Sequence, residues 1–173
     1  MTQPGPDSAL FDLLSKLYAA VNAHDAEALA ALCHENVVWS DPAAGAVLRG
    51  REAVYRFHHD TMFRALPDVH VELVDGPYFA LDGARVAVRL RIGGTMTGPL
   101  DPPGFGPTGN RIEFETAEFS KVEGGRLIEQ HVILDMLGLA RQIGAVPKPG
   151  GGAERASIWL QRLSAWRSRA QHR

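Results

Sequence analysis

Cysteine occurs once, at Cys33, so the chain can form no internal disulfide. The residue sits in the helical run ALAALCH and reads as a small core side chain, which suits a reducing compartment. Long hydrophobic runs are missing too. None approaches the roughly 18 residues of a membrane span, and the opening MTQPGPDSAL lacks the basic start and apolar stretch of a signal peptide. The expectation is a cytoplasmic protein without a membrane partner. Charge of one sign is scarce: the net charge is −2, which offers no basic surface to nucleic acid. No phosphate loop, dinucleotide fingerprint or Cys/His cluster is present, so neither a cofactor nor a metal is expected. What remains is ordinary for a globular protein. With 173 residues, 45% of them hydrophobic, the chain can bury a sizeable core in one domain with an appendage.

Residues 1–8 read as an unstructured, Pro/Gly-containing lead-in. Leu10, Leu13, Leu14, Leu17, Tyr18 and Val21 recur at helical spacing. NAHD ends that helix, and Asp25 caps a second, AEALAALC. NVVWSDP is β-branched and stops at a proline, as a short strand does. REAVYRFHHDTMFRAL predicts a third helix between Gly50 and Pro67. The strands VHVELVD, PYFAL, RVAVRLRIG, IEFETAEFSKV and LIEQHVIL follow, with turns at Asp82–Gly83 and Gly124–Gly125. A short helix MLGLARQI stops at Gly144. Residues 147–153 form a Pro/Gly linker, and residues 154–173 a terminal helix with a stripe of Trp159, Leu163, Trp166 and Ala170. The class is α+β, with helices gathered on one face of a curved antiparallel sheet. Such a sheet wrapped around its N-terminal helices leaves a cone whose mouth can hold a small ligand. Its other face is left bare, which predicts a homodimer.

AAVNAHDAEALAALCHENVVWSDPAAGAVLRGREAV resembles the first half of nuclear transport factor 2-like domains. GTMTGPLDPPGFGPTGNRIEFETAEFSKVEGGRLIEQHVILDMLGLARQIG is similar to the second half of SnoaL-like polyketide cyclases, through GTxTG, PTGxR, VxGGRLIE and DxLGLxxQxG. The resemblance spans residues 10–145. It implies a cone-shaped α+β barrel over residues 9–146, usually dimeric, with an apolar cavity. It leaves the function open among cofactor-free cyclases, isomerases, epoxide hydrolases and non-catalytic binders.

EQHVILD, residues 129–135, sets His131 and Asp135 on alternate positions of a strand. Asp135 reads as the cap of the next helix rather than as a catalyst. His131 depends on register. A two-residue turn at Gly124–Gly125 would put Glu118 opposite His131, and a three-residue bulged loop would put Glu118 opposite Val132. The residues alone leave both open. Aligned with the cyclases, their catalytic histidine and aspartate fall on Glu118 and Val132. This favours the second register, with Glu118, Gln130 and Val132 facing the cavity, and it departs from the family at both catalytic positions.

Asp41 matches the base of ketosteroid isomerases of the same fold, and Asp-Pro also starts turns. Asp41 and Glu118 are therefore the expected catalytic pair, Asp41 as base and Glu118 as acid or orienting group. Trp39, Tyr18, His58 and Met96 complete the expected cavity wall; Tyr18 lies one residue from the place of the isomerases' oxyanion tyrosine. His58 and His59 are adjacent on a helix and cannot chelate one ion together. Arg89 and Arg91 share a strand face that reads as surface, although epoxide hydrolases of the fold use an Arg/Asp pair on a comparable strand. Two readings stand side by side. One is an acid–base enzyme acting on an apolar, polyketide-like substrate. The other is a non-catalytic ligand-binding or dimeric scaffold.

Overall fold

A computed structural model describes residues 6–101, 104–147 and 149–171. Helix α1 (Pro6–Asn22) opens inside the segment expected to be an unstructured lead-in. Proline suits the first turn of a helix, where its missing N–H is not needed. Leu10, Leu13, Leu14, Leu17 and Val21 point inward from α1. The helix ends at His24, which takes a left-handed conformation with φ 55°. Helix α2 (Ala26–Ala31) is capped by Asp25, whose Oδ1 accepts from the Ala28 N–H at 2.8 Å.

Six strands follow: β1 (Cys33–Ser40), β2 (Leu48–Arg49), β3 (His70–Phe79), β4 (Arg85–Thr95), β5 (Arg111–Glu123) and β6 (Arg126–Leu134). They form one curved, unclosed sheet in the order β2-β1-β6-β5-β4-β3. The expected α+β class holds, with one refinement: β1 runs parallel to β6, and only the other pairs are antiparallel. The two runs VHVELVD and PYFAL join into one bulged strand, β3. The Asn22 side chain covers part of that edge. It donates to the Val71 carbonyl at 3.0 Å and accepts from the Val71 N–H at 2.7 Å, as a neighbouring strand would.

The third helix is not uniform. Helix α3 (Arg51–Arg56) widens into a π-helical segment, Phe57–Met62, and closes as α4 (Phe63–Ala65). Phe57 and His58, which open this wider turn, are both buried. Gly98, the second glycine of GTMTG, lies against α4. A Cβ there would collide with the Arg64 carbonyl, so the motif needs glycine for close backbone approach.

The core has two parts. One joins α1, α2 and α3 to Val37, Trp39, Val86, Val88 and Leu90 of the sheet. The other gathers Met96 and Ile112 with Leu139 and Ile143 of and beside helix α5 (Met136–Gln142). Helix α6 (Gly152–Gln171) follows, tied to α5 by Arg141 and Glu154 at 3.3 Å. Trp159 of its expected apolar stripe is 60% exposed. The side chains of Leu163, Trp166 and Ala170 lie outside the described residues. No described helix is long and apolar enough to cross a membrane.

Candidate active site

Where the two parts of the core meet they leave a cavity in which about 80 Å³ is open to the centres of water-sized molecules. Its wall is mostly apolar. Asp41, Glu118, Tyr18, Trp39, His58 and Thr116 bring the polar groups. The cavity therefore takes a side chain from the end of β1, one from the middle of β5 and one from the π-helical segment.

Hairpin register decides the β5 contribution. Gly124 and Gly125 take φ 57° and 72° in a two-residue turn that pairs Glu123 with Arg126. Ile128 then has no partner, because Val122 pairs with Leu127 and Lys121 with Glu129. This bulge moves the rest of the hairpin by one position, so Glu118 stands opposite Val132. The expected register is reached by a short turn and a later bulge, not by a three-residue loop. Val132 faces in and His131 faces solvent.

Asp41 caps a turn and also faces the cavity. Its Oδ1 accepts from the Ala43 N–H at 2.8 Å, capping the short 3-10 turn Pro42–Ala44, and the same side chain lines the cavity. Burial pushes its pKa up, while the Ala43 N–H and the neighbouring Trp39 indole act the other way. The indole N–H lies on the Asp41 side but reaches no hydrogen bond of good geometry. Glu118 is shifted further. Burial, and then the charge of Asp41, push it up to about 8, against hydrogen bonds from Thr116 and Gln130. Asp41 is half-buried and anchored by a backbone N–H, so it keeps the more acidic proton of the pair.

His58 is a neutral group of the wall. Its Nδ1 donates to the Val54 carbonyl at 2.8 Å, and burial pulls its pKa down to about 4. Trp39 meets the ring edge-on at 5.2 Å between centroids. The Tyr18 hydroxyl is buried without a partner, and burial together with the Glu118 charge raises its pKa, which keeps the phenol protonated. Met96 and Val132 are apolar wall.

One expected wall residue belongs elsewhere. Gln130 faces the inner side of the sheet but does not reach the cavity. It lies behind Glu118, to which its Nε2 donates at 2.6 Å, and its own Oε1 accepts from Ser120 Oγ at 2.5 Å. Alternation places a residue on a face and says nothing of its depth. Thr116 and Ser120 were overlooked in the sequence. The signal was there: TAEFS sets three polar side chains, Thr116, Glu118 and Ser120, on one face of β5.

The outlying candidates separate from the site. Asp135 caps α5, with its Oδ1 accepting from the Gly138 N–H at 2.9 Å. Arg89 and Arg91 lie on the outer face, each 3.3 Å from Glu115. His59 bonds Asp60 at 2.8 Å on the surface. Among the described residues, no three His, Cys, Asp or Glu side chains come together as a metal site would require.

Comparison with known proteins agrees with this architecture. TsrD from Streptomyces laurentii is 25% identical, with a TM-score of 0.69 over 80% of this chain and 96% of that one. A protein of Catenulispora acidiphila with a ketosteroid isomerase-like fold, bound to trimethylamine, is 20% identical with a TM-score of 0.64, covering 77% and 92%. SalBIII, an epoxide hydrolase/cyclase-like enzyme with a role in pyran ring formation in the polyether salinomycin, is 22% identical with a TM-score of 0.61, covering 74% and 92%. No curated protein matches the sequence. The family model for SnoaL-like polyketide cyclases matches residues 12–143, and the chain belongs to that family.

Proposed function

We propose that the protein is a cofactor-free acid–base enzyme of the cyclase or isomerase type, acting on an apolar small molecule that carries a carbonyl group. The observation that carries this reading is the pair of unlike carboxyls, Asp41 and Glu118, on the wall of one apolar cavity. Two acids whose surroundings separate their pKa values divide into a base and a donor. Asp41 takes a proton from the carbon next to the carbonyl. The C–H bond breaks, its electrons form the enol C=C, and the carbonyl oxygen takes the Glu118 proton. In a ring closure, the enol carbon then attacks a second carbonyl of the same molecule. The new alkoxide receives the proton held by Asp41, and the enol O–H returns its proton to Glu118. In an isomerisation, Asp41 instead hands its proton to another carbon. Tyr18 and Trp39 support a ligand with oxygen acceptors, because each has a buried donor with no partner.

The acid–base pair also suits epoxide opening, in which Glu118 protonates the epoxide oxygen while Asp41 deprotonates a hydroxyl of the same molecule. The likeness to SalBIII supports keeping that second reading. The two family positions that differ, Glu118 and Val132, support a base at Asp41 instead of on β6.

The test needs no natural substrate. Deuterium exchange from D2O into the α-carbon of an apolar cyclic ketone, followed by mass spectrometry, should be catalysed by the wild type. It should fall about a hundredfold or more in Asp41→Asn, the scale of losing a general base. Equal exchange in the two proteins would leave the cavity a binding site. We propose in addition that two copies pair through the bare outer face of the sheet, where Tyr78, Phe119 and Ile133 are exposed.

A further inference from the structure

Resting on the reading of Glu118 as proton donor, we infer that Gln130 and Ser120 are positioning residues that decide which oxygen of Glu118 carries the proton. The chain of contacts is directional. Ser120 Oγ donates to Gln130 Oε1 at 2.5 Å, which turns the amide nitrogen toward Glu118. That nitrogen then donates to Glu118 Oε2 at 2.6 Å. An oxygen that accepts so short a bond keeps its lone pairs for it, and the proton goes to the other oxygen, Oε1. Oε1 takes only a long bond, 3.4 Å, donated by Thr116 Oγ1, a hydroxyl that can turn to accept once Oε1 is protonated, and Thr116 lines the cavity while Gln130 does not. The relay therefore points the acidic O–H at the ligand and keeps it from being spent on the protein's own amide. Ser120, Gln130 and Thr116 are each 2% exposed and Glu118 is 7% exposed, so water offers the network no ready substitute.

A residue 130 that only filled space behind Glu118 would leave its titration unmoved when Ser120, which bonds Gln130, loses its hydroxyl. The Gln130 N–H favours the ionised form, so removing it raises the pH at which Glu118 loses its proton. The other titratable groups on the cavity are Asp41 just beyond β1, Tyr18 from α1 and His58 from the π-helical segment; Val88 and Val132, beside Glu118 on β4 and β6, carry no charge.

The experiment follows the side-chain carboxyl carbon of Glu118 by ¹³C NMR in the ligand-free protein, assigned by its loss in Glu118→Gln. Gln130→Met, close in volume but without the amide, should move the midpoint up by about one pH unit or more. Ser120→Ala, a milder change, should move it in the same direction by less, because the amide is freed to turn. Unmoved midpoints in both folded variants would overturn the relay. Should Gln130→Met fail to fold, Ser120→Ala decides alone. A wild-type midpoint in the ordinary carboxylate range would instead overturn the donor reading itself, and the relay with it.

Discussion

Glu118 and His58 give the folded protein opposite responses to pH. Folding raises Glu118 from 4.5 to about 8, so between those values the folded state holds the extra proton. Stability from this group is full below the lower value and is lost as the pH rises through the upper one. Folding lowers His58 from 6.5 to about 4, so its contribution is lost as the pH falls. The two slopes oppose each other at acidic pH, and above 6.5 that of Glu118 stands alone. Unfolding by urea should show a loss on the order of a few kcal/mol between pH 6.5 and about pH 9. Glu118→Gln should remove most of it; an equal loss in the variant would assign the slope to other groups. The acidic pair was legible in the sequence as a strand-end aspartate and a strand glutamate at family positions. The depth of Gln130 was not, since it follows from how the side chains of three residues stack behind one another.

Among the elements, those with a simple period and clear caps were the legible ones. Asp135 illustrates this: aspartate before a helical run that ends at glycine reads as an N-cap, and its Oδ1 holds the Gly138 N–H at 2.9 Å. Asp135→Ala should cost about 1 kcal/mol and lower the melting temperature by a few degrees, while Asp135→Asn should retain most of the stability. Equal melting of Asp135→Ala and wild type, followed by circular dichroism, would contradict the cap. Elements that break their own period were not legible. The widening of the third helix into a π-helical segment leaves Phe57, His58 and Thr61 buried, as an α-helical stripe would, so the residue pattern does not mark it. In the β5–β6 hairpin the turn and the register come apart. The turn is as short as a Gly-Gly pair allows, and a separate bulge at Ile128 shifts the pairing, which no turn rule anticipates.

At the scale of the whole molecule the sheet has one face under helices and one that is bare. Tyr78, Phe119 and Ile133 stand on the bare face, among the ion pairs of Arg89 and Arg91 with Glu115. Light scattering at micromolar concentration should give the mass of a dimer, and Phe119→Glu should halve it, because a charge in a pairing interface is costly. A monomeric wild type would rule out the pairing. The order of the strands has a further effect. β6 is the last strand made, yet it lies inside the sheet, between β1 and β5. During synthesis, β1 therefore leaves the ribosome with Val37 and Trp39 ready to be buried and only the two-residue strand β2 beside it. It waits for nearly the whole domain to be translated before its parallel neighbour arrives. The sheet cannot be zipped up hairpin by hairpin from its N-terminus, and closing it brings together segments far apart in the chain, which is the slow kind of contact. The cavity, whose wall takes Asp41 from beyond β1 and Val132 from β6, comes into being only with that last insertion. A nascent chain halted before Leu134 holds Asp41 with no closed cavity for it to line.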